Sequence, residues 1–244
     1  MKTLLFLLTC ALTAPLAAAE PDWRAYADVL QRHVKPGRIH GVDLKVVNYT
    51  ALKADPDWHR TVAALAAFDP ATLVNRQERL AFYINAYNIL AIKTVVDNWP
   101  LTSIKDAGGW LQPVWQRPAG SVGGHTVTLH HIEHEVLRPM GEPRIHMAIV
   151  CASVSCPDLR PEPYRGAQLD RQLDEQTRAF LNNPQKGLRH QGGDVHLSRL
   201  FDWFEDDFQA RGGVAAFVRR HRPGLPAAFD YDADLPYDWA LNGH

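Results

Sequence analysis

Asn75-Arg-Gln-Glu78-Arg-Leu80-Ala-Phe-Tyr-Ile84-Asn85-Ala-Tyr87-Asn88-Ile-Leu-Ala91-Ile92-Lys-Thr-Val95-Val-Asp-Asn98 is the longest periodic stretch of the chain. It predicts a helix that starts at Asn75, where Glu78 completes a capping box, and stops before Pro100. Leu80, Ile84, Tyr87, Ala91 and Val95 form one apolar stripe. Asn85, Asn88 and Ile92 lie on a second face, bordered by Ala81 and Ile89, which predicts that this face is buried as well. A helix apolar on two faces belongs inside a fold. Asparagine is a poor helix former, and an unpaired buried amide costs about 1–3 kcal/mol. Asn85 and Asn88 therefore need partners. These are either loop backbone or, on a sharper reading, a catalytic group or a substrate carbonyl.

Shorter elements surround this helix. Helical patterns occur at 22–33, 57–67, 129–138, 167–182 and 213–221, and Ser198 caps a further helix holding Phe201, Trp203 and Phe204. Strand patterns occur at Val42–Tyr49, His125–Leu129, Ile145–Val150 and Val195–Leu197. Gly108-Gly109 and Pro118–Gly124 read as loops. Helices outnumber scattered strands, so the class is α+β, a helix-rich single domain around a small, irregular β-sheet. Residues 75–242 form the core domain, and 20–74 are an N-terminal extension of helix and strand packed on it.

Residues 1–19 read as a leader. Lys2 precedes the apolar run Leu4–Leu16, and Ala17-Ala18-Ala19 fits a cleavage site. The run falls short of the ~20 apolar residues of a spanning helix. The expectation is an exported protein, periplasmic or secreted, with no integral membrane segment after cleavage. With 26 Lys plus Arg against 27 Asp plus Glu, no basic stripe points to nucleic acid.

Chemistry concentrates in Arg144-Ile-His146-Met-Ala-Ile-Val-Cys151-Ala-Ser153-Val-Ser155-Cys156-Pro157. A buried strand running into a loop of Ser, Cys and Pro would present polar groups from a rigid frame. Cys151 and Cys156 have three readings: a disulfide, two small buried residues, or a nucleophile activated by a histidine. In a regular strand His146 and Cys151 point to opposite faces, and Cys151 would close the strand in a buried position. Cys156, out in the loop, is then the first choice of nucleophile. His130-His-Ile-Glu133-His134 also matches H-x-x-E-H, a zinc-hydrolase pattern, against the plainer reading of surface histidines on a helix.

Read in order, these segments resemble domain-of-unknown-function family 547. The residues that carry the resemblance are Arg79 to Asn88, Ser103-Ile-Lys105, Ile132-Glu133-His134, Leu137-Arg138 and Pro143 to Pro157. Leu173-Asp-Glu175, Phe180-Leu-Asn182, Leu197 to Phe208 and Tyr237 to Asn242 complete it. The resemblance implies no named activity. It implies that His130 is not part of the shared pattern, so the zinc match is accidental and neither metal nor cofactor is expected. It also implies that the cysteines are not purely a device of oxidising compartments, because relatives occur in cytosolic plant proteins.

The expected function is a thiol-dependent hydrolase or acyl transferase acting on a peptide or amide. Cys156 or Cys151 would be nucleophile, His146 or His134 base, and Asn85 or Glu133 the orienting group. Asn88, Arg144, Ser153 and Ser155 would bind an unidentified small-molecule or peptide ligand. The alternative is a non-catalytic binding module with a structural polar centre. The leader reading is checked by mass spectrometry of protein from its native host: the mature chain should begin at or near Glu20, and an intact Met1 would reject it.

Overall fold

A computed structural model describes residues 21–244. The leader assigned to 1–19 lies outside these described residues. The fold is α+β, and the long helix α4, Arg76–Asp97, is its axis. Asn75 caps it by accepting from the Gln77 N–H at 2.7 Å. Fourteen of its residues are buried, on two faces, among them Asn85 and Asn88.

Around α4 stand α1 (Arg24–His33), the hairpin β1 (Val34–Ile39) and β2 (Val42–Val47), α2 (Tyr49–Lys53) and α3 (Pro56–Ala67). Trp23, Tyr26, Tyr49 and Trp58 pack with Phe82 and Ile84 of α4 into one apolar core. A second hairpin, β3 (Pro118–Val122) with β4 (His125–Thr128), lies across α4. β3 occupies a stretch that reads as a loop in the sequence. Its Pro and Gly mask the strand signal; a Cβ at Gly120 would stand 2.5 Å from Leu90 Cδ2 and displace that side chain.

The C-terminal third builds a second apolar core. It holds α5 (Leu169–Leu181), the sheet of β5 (Leu188–Gln191), β6 (Asp194–Ser198) and β7 (Asp232–Leu235), and the helices α6 (Leu200–Trp203), α7 (Glu205–Gln209) and α8 (Gly213–His221). Phe201, Phe208 and Phe217 are its centre. The strands thus make three small sheets among the described residues, not one. β1, β5 and β7 carry no clear alternation in the sequence; they form because a neighbour supplies the ladder.

The expected strand Ile145–Val150 does not form. Pro143–Met147 is a 3₁₀ turn that Glu142 caps, and Ala148 to Val150 follow it with no strand assigned. The reason lies in α4. Asn88 Nδ2 donates to the Ala148 carbonyl at 3.0 Å, and Asn88 Oδ1 accepts from the Val150 N–H at 2.8 Å. One side-chain amide makes the two bonds a sheet neighbour would have made. Asn85 does the same for Tyr164, donating to its carbonyl at 2.8 Å and accepting from its N–H at 2.9 Å. Residues 131–137, expected as an ordinary helix, form a π-helix (His131–Leu137) that tightens into a 3₁₀ turn at Arg138–Met140. Such wide turns recur at functional sites.

The segment from Tyr237 to the C-terminus straps the cysteine loop to the N-terminal half. Val154 N–H donates to the Ala240 carbonyl, Asn242 N–H to that of Ala152, and Leu241 N–H to that of Thr102. Gly243 bridges to Val47, and the Tyr49 hydroxyl donates to Asn242 Oδ1 at 2.7 Å.

Replacing Asn88 by Leu should destabilise the protein by about 1–3 kcal/mol, because Ala148 and Val150 would keep buried, unpaired backbone groups. The same holds for Asn85→Leu at Tyr164. Denaturant melts measure it, and unchanged midpoints for both variants would refute the assignment.

Candidate functional site

The two apolar cores meet at His146. Ile145 packs in the first and Met147 in the second. Beside this seam opens a cavity of about 350 Å³, lined by Tyr87, Trp115, Glu133, His134, His146, Ile149, Cys151, Cys156, Pro157, Leu200, Trp203, Phe204, Tyr237 and Trp239. Its walls are mostly aromatic. Trp203 stacks on Trp239, Trp115 meets Trp239 edge-on, and Tyr237 touches both Trp203 and Trp239. Lys105 Nζ stands 3.5 Å over the Trp239 ring. An apolar cleft with a few converging polar groups is the common form of a small-molecule site.

Cys151 and Cys156 are joined in a disulfide. Their exposures reverse the expectation from sequence. Cys156 is 2 % exposed, and Cys151 is the partly exposed member. Without a strand, Cys151 does not end a buried ladder. Ala152 turns the chain through the left-handed region (φ 59°) directly after it, and the loop carries Cys156 back beneath Cys151. The Cys156 sulfur accepts from the Cys151 N–H at 3.1 Å, with the Tyr237 hydroxyl 3.3 Å away. Buried Lys186 holds the loop from behind, donating to the Cys156 carbonyl at 2.8 Å and pairing with Asp158.

His146 is buried flat against Phe204, ring centroids 4.1 Å apart. Its Nε2 bonds Asp207 Oδ2 at 2.7 Å. Arg138 grips the same carboxylate from the other side, Nε to Oδ2 at 2.7 Å and NH2 to Oδ1 at 2.9 Å. Burial alone would raise the Asp207 pKa, but the hydrogen bonds from His146 and Arg138 outweigh it and hold the carboxyl far below the usual range. Burial pushes His146 down, against the pull of Asp207. A neutral imidazole beside an ionised carboxylate donates its Nε2–H to it, which leaves Nδ1 as the basic nitrogen. The ring also lines the cavity. The expected opposition of His146 and Cys151 rested on a strand and lapses with it; both line the same cavity.

Glu133 is buried and hydrogen-bonded to the Tyr87 hydroxyl, and burial pushes its pKa up to about 7. His134 is held neutral, first by burial, then by the charges of His130 and Arg138. Its Nδ1 accepts from Arg138 NH1 at 2.9 Å, so Nε2 carries the hydrogen. The His130 and His134 rings lie tilted to each other, centroids 4.4 Å apart, while Glu133 turns instead to Tyr87.

Other sequence candidates stand outside the cavity. Asn85 and Asn88 hold backbone. Arg144 pairs with Glu142, Asp170 and Asp174. Ser155 accepts from the Asp238 N–H at 2.8 Å. Ser153 is one layer back, its hydroxyl donating to the Tyr237 oxygen at 3.3 Å. The site residues that the sequence does not single out as a site are Asp207, Arg138, Tyr87, Tyr237 and the aromatic wall. Apart from Arg138, they lie far from the cysteine loop along the chain, and spacing alone gives no sign of the convergence.

Glu133 sets a pH dependence. Its pKa is about 7 when folded, against 4.5 for a free glutamate. Between those values the unfolded chain has released a proton that the folded protein keeps. Glu133 therefore lowers stability as pH rises through that window. Thermal melts of Glu133→Gln should lack this part of the decline. Identical pH slopes in variant and wild type would show that the carboxyl titrates normally.

Residues 71–181 match the family described as "Protein of unknown function, DUF547". No characterised protein and no solved structure matches the chain. The matched segment contains α4, Glu133, His134, Arg138, His146 and both cysteines. Asp207, Trp203, Phe204, Tyr237 and Trp239 come from beyond it, so the cavity is completed by chain outside the match. With that segment at its centre, the chain is a DUF547-containing protein.

Proposed function

We propose that this protein is a thiol-dependent hydrolase or acyl transferase, active in its dithiol form on a peptide or amide. Cys151 is the nucleophile, His146 the base and Asp207 the group that orients the base. The observation that carries this reading is that Asp207 holds Nε2 of His146 while the ring and Cys151 line one cavity. A nucleophile, a base and a third group fixing the base are the recurring parts of such sites on unrelated folds. In the forward step Nδ1 takes the Cys151 proton and the thiolate attacks the acyl carbon. Nδ1 then returns the proton to the leaving amine, and water or a second acceptor releases the acyl group. Glu133, part-protonated near neutral pH, is suited to donate a hydrogen bond to the acyl oxygen. Export, from the leader at residues 1–19, is part of the same proposal.

A second reading is a non-catalytic module that binds an apolar ligand. One observation favours it: the two sulfurs are joined, so the oxidised protein has no nucleophile beside its aromatic walls.

Limited alkylation after reduction separates the two. At about pH 6, Cys151 should be labelled well ahead of Cys156, and His146→Ala should slow that labelling by on the order of 10-fold, as loss of an activating base predicts. Circular dichroism checks that the variant is folded. Slow, equal labelling of both cysteines, unaffected by the substitution, would leave the binding module as the better account.

A further inference from the structure

The two sulfurs of the Cys151–Cys156 pair differ in the properties that govern exchange with an incoming thiol. Exchange needs one sulfur that a thiolate can reach and another that leaves as a stabilised thiolate. Both cysteines line the cavity, but Cys151 is partly exposed whereas Cys156 is 2 % exposed. Charge released on Cys156 meets two donors already in place, the Cys151 N–H at 3.1 Å and the Tyr237 hydroxyl at 3.3 Å. Ser153 donates to the Tyr237 oxygen, which leaves the tyrosine's own hydrogen free for the sulfur. The Cys151 sulfur has only longer contacts, 3.5 Å to Ser153 and 3.5 Å to Tyr237. A disulfide with a purely structural role has no need of an open approach to one sulfur and a prepared seat for the other.

We infer that the oxidised protein is a thiol–disulfide exchange site for small thiols with an apolar or aromatic body. A substrate thiolate attacks Cys151 Sγ, the bond between the protein sulfurs breaks, and Cys156 leaves as a thiolate that takes up a proton. A second substrate thiolate attacks the substrate sulfur of the mixed disulfide and expels the Cys151 thiolate. Two thiols become one low-molecular-weight disulfide, and the protein gains the two electrons and two protons as its dithiol. The same steps in reverse, with a low-molecular-weight disulfide as oxidant, restore the starting state. The substrate class follows from the walls: Trp203, Phe204, Trp239 and Ile149 offer apolar contact, and no Lys or Arg is among the described residues that line the cavity. This activity belongs to the oxidised form and stands apart from acyl transfer, which needs the dithiol. Either can fail while the other survives.

The test uses the oxidised full-length protein with benzyl mercaptan or glutathione at equal thiolate concentration. Reactions are quenched in acid, alkylated and mapped by mass spectrometry for Cys151 and Cys156. Rates are divided by those of each thiol with cystamine, an unstructured reference disulfide. Benzyl mercaptan should reduce the pair at least about 10-fold faster than glutathione after this correction, and Tyr237→Phe should slow it by about 10-fold through the poorer leaving group. The transient mixed disulfide should map to Cys151. Trp203→Ala, at a side chain already 41 % exposed, should reduce the preference for benzyl mercaptan and keeps the test decisive if the tyrosine variant does not fold. Equal corrected rates for the two thiols, a mixed disulfide on Cys156, or a pair that resists both thiols would overturn the inference.

Discussion

The architecture of the site depends on two asparagine amides in the middle of a buried helix. Asn88 satisfies the carbonyl of Ala148 and the N–H of Val150, and Asn85 satisfies both backbone groups of Tyr164. Buried backbone needs partners, normally from a helix or a sheet. Here side chains supply them, which frees the segment before Cys151 from the alternation a strand imposes. His146 and Cys151 can then face one cavity, which a pleated strand would forbid. The cost is two polar groups on a helix that is otherwise apolar on both faces, and it is recovered because each amide closes a pair of bonds.

A second layer of order comes from charge. Asp207 receives His146 on one oxygen and a bidentate guanidinium from Arg138. A partly buried carboxylate of this kind is stable only when paired and hydrogen-bonded. The pairing also fixes the imidazole tautomer. Arg138 donates to His134 as well, so one cation sets the hydrogen positions of two histidines. Glu133, close by but bonded to Tyr87, is left with burial as its dominant influence and keeps its proton to near neutral pH. A base, a neutral donor and a near-neutral acid thus share one apolar cavity. Their environments, not their residue types, make them different.

The cysteine pair shows how local geometry assigns roles to identical side chains. Ala152 reverses the chain, and the strap from Tyr237 to Asn242 holds the reversed loop by backbone bonds. Cys156 is buried and Cys151 is left the more exposed of the two at the cavity wall. The strap also carries Tyr237 and Trp239 into the site, so the residues that close the cavity are the ones that fix the loop.

The sequence by itself determined the α+β class, the long helix with its cap at Asn75, and the burial of Asn85 and Asn88. These follow from periodicity, propensity and the cost of an unpaired amide, all local properties of a chain. It could not determine whether Ile145–Val150 paired as a strand, because a short apolar run reads alike whether its backbone is satisfied by a neighbour or by an amide 60 residues away. It could not order the two cysteines by exposure, since that order hangs on a turn at Ala152 and on a strap from the C-terminus. Asp207, Arg138 and Tyr237 stand in the sequence as ordinary polar residues. Only the tertiary structure, by bringing distant segments to one seam between two apolar cores, turned them into parts of one site.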